Sequence, residues 1–173
     1  DAKGNYQRVN PNDHVNYGQS TNDVIPTAIR IGSLLALEHT LYPALKATIS
    51  TLDEKATEFQ NIVKSGRTHL PDAVPVRLGE TFRAWAQIYR DHLHRLETAA
   101  QDLQQLGIGG SATGTGLNTH PQYREEMVHH LSEFIGVPLT SAPHLMAAMQ
   151  SLSPFVNVSG ALRNIAQDCV KIS

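Results

Sequence analysis

Apolar residues recur at intervals of three and four along most of the chain, the spacing of one face of an α-helix. The first such stripe starts near Asn22 and Asp23 and runs through Ile29, Leu34, Leu37, Leu41, Leu45, Ile49, Leu52 and Phe59. Asx side chains cap free amides at a helix start, and the first turn tolerates Pro26. Pro43 lies inside the stripe, removes one hydrogen bond and predicts a kink or local break. A second stripe, Phe82, Trp85, Ile88, Tyr89, Leu93, Leu96, Leu103 and Leu106, falls in residues 80–106, which hold neither glycine nor proline. That is about 40 Å of helix, closed by Gly107 as a left-handed cap. A third helix is expected over residues 122–135 with Gly136 as its cap, a short one near Pro143, and a last one from about Pro154. No segment alternates with period two for long. The reading is all-α, a bundle of long helices.

Between the stripes lie three polar segments: residues 1–16, 65–79 and 107–121. All three read as loops. Small hydroxyl and amide groups crowd around them: Gln19-Ser20-Thr21-Asn22-Asp23, then Gly66-Arg67-Thr68-His69, then Ser111-Ala112-Thr113-Gly114-Thr115-Gly116-Leu117-Asn118. The first group stands at a predicted helix N-terminus, where free N–H groups and the helix dipole favour an anion. Such a cluster suits a carboxylate, although Ser, Thr, Asn and Asp before a helix are also ordinary capping residues.

The 173 residues, 40% hydrophobic and 17% charged, describe a globular chain able to bury one core. A net charge of -2 gives no long-range attraction for nucleic acid or an anionic membrane, and no apolar run could span a bilayer. The single cysteine, Cys169, excludes an internal disulfide, suits a reducing cytoplasmic setting and reads as a small buried helix residue. The chain opens without methionine and stops in an unfinished helical pattern, so a central segment, incomplete at both ends, is expected. Long apolar stripes in so short a chain predict assembly through helix packing.

Other chemistries fit less well. The glycine-rich turn lacks a Gly-Lys-Ser/Thr ending and follows a helix, which disfavours a phosphate loop. His92 and His94 are two apart, His129 and His130 are adjacent, and no His-Glu-x-x-His pattern occurs, so the histidines read as solvated or core residues and no metal is expected. Ser20, His69 and Asp72 could be read as a hydrolase triad, but no nucleophile elbow surrounds Ser20. A helical oligomerisation scaffold would explain the helices but not the three polar groups.

Taken together, these strings resemble the fumarase/aspartase superfamily over essentially the whole chain. Pro11-Asn12-Asp13-His14-Val15-Asn16 with Gln19-Ser20-Thr21-Asn22-Asp23 resembles its first shared region. Gly66-Arg67-Thr68-His69-Leu70-Pro71-Asp72-Ala73-Val74-Pro75 resembles its second. Gly109-Gly110-Ser111-Ala112-Thr113-Gly114-Thr115-Gly116-Leu117-Asn118 resembles the turn after its long central helix.

The resemblance implies a helix bundle that assembles as a homotetramer, with active sites where three subunits meet. It implies a small dicarboxylate substrate and no cofactor. Ser20, Thr21 and Asn22 would contact substrate, and Thr68 and His69 would bind a substrate carboxylate from another subunit. Arg8, Asn12 and Asp13 resemble a peripheral anion site, where Asn10 stands in place of a histidine common in fumarases; Pro71 replaces the commoner glutamine. The reaction would remove a proton beside a carboxylate, and the resulting doubly charged aci-carboxylate needs preorganised donors. Thr21, the string Asp72-Ala73-Val74-Pro75 and the string Ser141-Ala142-Pro143-His144-Leu145 resemble aspartases. Gly109-Gly110 and Asn118-Thr119-His120-Pro121 resemble fumarases, and the balance leans to ammonia as leaving group. The family's base, a serine on a glycine-rich loop further along the chain, has no counterpart here. The purified 173-residue segment alone is therefore expected to form no fumarate; absorbance growth at ultraviolet wavelengths with L-aspartate or L-malate would refute this.

Overall fold

The computed structural model describes residues 2–173. In chain order the elements are α1 (Thr21–Ala36), α2 (Tyr42–Glu58), β1 (Val63–Arg67), β2 (Asp72–Arg77), α3 (Leu78–Ala100), β3 (Gln105–Leu106), α4 (Tyr123–Ile135), β4 (Thr140–Ser141), α5 (Leu145–Gln150) and α6 (Ser153–Ile172). The fold is all-α, and its contacts gather into two compact units. One comprises residues up to 36 and 100–156, the other residues 37–99 and 157–173.

In the first unit, α1 starts one residue before the expected cap, on a reciprocal pair of bonds. The Ser20 hydroxyl accepts the Asn22 N–H at 3.2 Å, and the Asp23 carboxylate accepts the Ser20 N–H at 2.9 Å. This is a variant of the capping box, in which Asp replaces the usual Glu and the serine hydroxyl accepts from the second helical residue instead of the third. Gly136 closes α4 in the left-handed region, φ +69°, as its sequence position predicts. Leu34, Leu103, Leu106, Ile108, Val128 and Leu139 form this unit's core. Fully burying a leucine contributes roughly 2 kcal/mol.

The helix expected to reach residue 106 stops at Ala100. The chain then tightens into a 3-10 turn at Gln101–Gln104 and becomes β3, which pairs in parallel with β4. Leu103 and Leu106 keep their apolar role but are buried by this turn and strand instead of a continuing helix. Gly107 consequently caps nothing, and the first glycine with positive φ after α3 is Gly109. What Gly107 supplies is space: a Cβ there would lie 2.9 Å from Cγ of Met149.

In the second unit, the break foreseen at Pro43 is a π-helical turn, Leu37–Leu41, after which α2 begins with proline in its first turn. Leu45, Ile49, Ala86, Tyr89, Leu96 and Ile165 make the core. His92 is buried and pairs with Asp168 at 2.7 Å. Tyr89 donates its hydroxyl to Cys169 Sγ at 3.1 Å. Burial, then that bond and the nearby Asp168, push the Tyr89 pKa up to about 12. Cys169 itself is exposed, contrary to the expectation of a buried residue. On α6 it lies one position beyond Asp168, and a one-residue step turns a helix by about 100°.

The segment 65–79, expected to be loop, is largely an antiparallel hairpin of β1 and β2. Its residues are mostly exposed on both faces, so no alternation marked it in the sequence. Two residues, His69 and Leu70, form the tip, with φ of +48° and +72°. Positive φ at both central positions is the geometry that favours Asn-Gly. Leu70, 92% exposed, gains little burial to offset that strain. Leu70→Gly should stabilise the fold by about 0.5–1 kcal/mol, seen as a higher midpoint in urea denaturation; an unchanged or lower midpoint would count against the strained turn.

Candidate functional site

The first unit brings two of the three polar groups together around one carboxylate. Asp23 is fully buried. Besides the Ser20 N–H, it accepts the N–H groups of Gly109 at 3.2 Å and Ser111 at 2.9 Å. A buried carboxylate is tolerable only when its oxygens are satisfied, and three backbone donors do this without a cation. Gly109 and Ser111 take positive φ, +87° and +55°. The amides of the glycine-rich turn thus serve an internal carboxylate, a second reason not to read it as a phosphate loop.

The same clamp sets Asn22 beside the turn, where its side-chain amide donates to the Ala112 carbonyl at 2.8 Å. Thr21, Asn22, Ala112 and Thr113 then line a cleft of about 480 Å³, with Met146 and Met149 on its apolar side. One amide N–H is committed to Ala112. The rest of the Asn22 amide and the hydroxyls of Thr21 and Thr113 remain as neutral polar groups at its rim. Thr113 and Thr115 place their hydroxyl oxygens 3.5 Å apart. Pro26, also on the cleft, sits inside α1 and not in its first turn; its missing N–H removes the bond that the Asn22 carbonyl would otherwise receive.

Thr68 and His69 belong to the second unit, at the exposed tip of the hairpin. The Thr68 N–H donates to the Pro71 carbonyl at 3.1 Å and closes the turn. Arg67 braces its base through the Asp72 carboxylate at 3.2 Å. Asp72 is therefore engaged by Arg67, which removes the orienting carboxylate from the triad reading of Ser20, His69 and Asp72. Arg8, Asn12 and Asp13 are exposed in the first unit. There the Asn10 side chain accepts the Asn12 and Asp13 N–H groups at 2.8 and 3.1 Å, and the Asn10 N–H donates to His14 Nδ1 at 2.8 Å. Those two amides are satisfied within their own turn.

Sequence reasoning passed over Arg30. It is buried, donates to the Asp102 and Ala148 carbonyls at 2.7 and 3.3 Å, and stacks over Phe155 at 5.3 Å. Burial lowers its pKa, against the opposing pull of Asp102. The only signal was an arginine on the apolar face of α1, seven residues after Asp23. Burial likewise raises the Tyr123 pKa, helped by Asp23.

The first unit thus builds a cleft edged by hydroxyls and amides from the ends of separate segments. Comparison with known proteins is specific. The family model described as "Lyase" matches residues 2–173. A class II fumarate hydratase of Neisseria meningitidis serogroup A is 46% identical over 97% of this chain and 36% of its own length. The aspartate ammonia-lyase of Bacillus subtilis is 42% identical over 99% of this chain and 36% of its own. The solved fumarate lyase:delta crystallin of Brucella melitensis superposes with a TM-score of 0.92 at 41% identity, covering 98% of this chain and 36% of that one. The chain belongs to the fumarase/aspartase superfamily of lyases. It spans about 36% of the length of these relatives.

Removing the Asp23 carboxylate leaves three amides without their acceptor. Asp23→Ala should cost about 3 kcal/mol or more in denaturant unfolding and speed hydrogen exchange at the Gly109 and Ser111 amides. Wild-type exchange rates at those two amides would contradict the clamp.

Proposed function

We propose that this chain supplies the carboxylate-binding part of a lyase that forms fumarate from a C4 dicarboxylate by elimination. The observation that carries the reading is the Asp23 clamp, which holds Thr21 and Asn22 on one cleft with the 112–113 turn. Neutral donors fixed before substrate arrives suit an aci-carboxylate, because they strengthen as charge develops and need no reorganisation. In this reading Ser20, Thr21 and Asn22 meet the substrate, while Thr68 and His69 reach one of its carboxylates from a neighbouring subunit of a homotetramer. Arg8, Asn12 and Asp13 would form a peripheral anion site; the commitment of the Asn12 and Asp13 amides to Asn10 leaves that role to side chains.

Between the two leaving groups we favour water, from L-malate. Most of the similar relatives are class II fumarate hydratases, at 40–47% identity beside 42% for the Bacillus ammonia-lyase, and the Gly109-Gly110 and 118–121 strings resemble theirs. The second reading, ammonia from L-aspartate, is favoured by Thr21 and by the 72–75 and 141–145 strings.

The test is an ultraviolet assay of the full-length protein with each substrate. Fumarate from L-malate far faster than from L-aspartate is expected, and the reverse order would establish the second reading. In the active protein, Asn22→Ala and His69→Ala should each lower kcat/KM by about a hundredfold with little change in unfolding midpoint. Turnover of neither substrate, or full activity in both variants, would reject the proposal.

A further inference from the structure

The exposed face of α4 carries a cluster that the lyase chemistry does not use. His129 Nε2 and His130 Nδ1 each lie 3.5 Å from Glu133 Oε2, and one ligand atom from each residue fits within 4.8 Å of the other two. We propose that His129, His130 and Glu133 form a surface site for a late first-row divalent ion such as Zn²⁺.

The geometry suits such an ion. Bonds of about 2.1 Å in a tetrahedral shell set ligand atoms about 3.4 Å apart, so two of the three edges already have the required length. The third closes by rotation of exposed side chains; all three are more than 60% exposed, and solvent supplies the fourth ligand. Adjacent histidines point in different directions on a helix, but Glu133 lies four residues after His129 and three after His130, between the two. Two imidazoles and one carboxylate select a transition ion over Mg²⁺ or Ca²⁺, which prefer oxygen ligands.

A separate observation points the same way. With Nδ1 of His130 turned to Glu133, its Nε2 faces Glu126 Oε2 at 3.6 Å. A carboxylate on the far nitrogen of a ligating imidazole fixes the ring and raises its basicity, the usual support for a metal-bound histidine. Glu126 is a positioning residue in this arrangement.

The full-length protein, free of any histidine tag, is titrated with Zn²⁺ against a chromophoric chelator. One Zn²⁺ per chain is expected at this site, and excess Mg²⁺ does not displace it. His129→Ala and Glu133→Gln each weaken it about tenfold or more, and Glu126→Gln weakens it by less. These are surface substitutions on a helix, and unchanged circular dichroism establishes that each variant is folded. Absence of Zn²⁺ uptake, displacement by Mg²⁺, or unchanged uptake in both His129→Ala and Glu133→Gln would overturn the proposal. In the last case another of the chain's nine histidines holds the ion.

Discussion

A buried negative charge must be satisfied where it lies, and Asp23 meets that demand with three backbone N–H groups from two distant stretches of chain. The cost of leaving any of these groups unpaired in a dry interior ties the start of α1 to the glycine-rich turn. The remaining local geometry follows from it. Gly109 and Ser111 take left-handed conformations so that their amides converge, Asn22 bonds to Ala112, and the cleft acquires its polar rim. Residues that read as a capping sequence are thereby the frame of the cleft.

The site's chemistry depends on charge being kept out of the cleft. The Asp23 carboxylate is turned inward onto three backbone N–H groups, and among the described residues the cleft is lined by neutral side chains. For the proposed elimination, the hydroxyls and amides among these would meet a doubly charged intermediate without the repulsion that a free carboxylate would impose. Arg30 shows the same economy elsewhere in this unit. Its guanidinium is spent on two backbone carbonyls and an aromatic face, so it acts as a brace between segments.

The hairpin represents a different physical choice. Its tip holds a histidine and a leucine in conformations that glycine or asparagine adopts at lower cost, and the leucine is almost wholly exposed. Strain of this kind persists where the surrounding backbone over-determines it, and here the β1–β2 ladder and the Thr68–Pro71 bond do so. His69 is held by a backbone that this pairing fixes.

The sequence alone determined the helical architecture, since apolar spacing of three and four, Gly136 and Pro43 each act through neighbours a few residues away. It also carried the polar strings that identify the family, because their order along the chain is a one-dimensional property. The tertiary structure decided the rest. The hairpin escaped notice because both its faces are exposed, so no periodicity was imposed on it. The end of α3 at Ala100 depends on a parallel pairing with residues some 35 positions later, and the role of Asp23 on amides 86 and 88 positions away. Local patterns record what a residue needs from its own turn. Which distant donor meets a buried charge is settled only when the chain closes on itself.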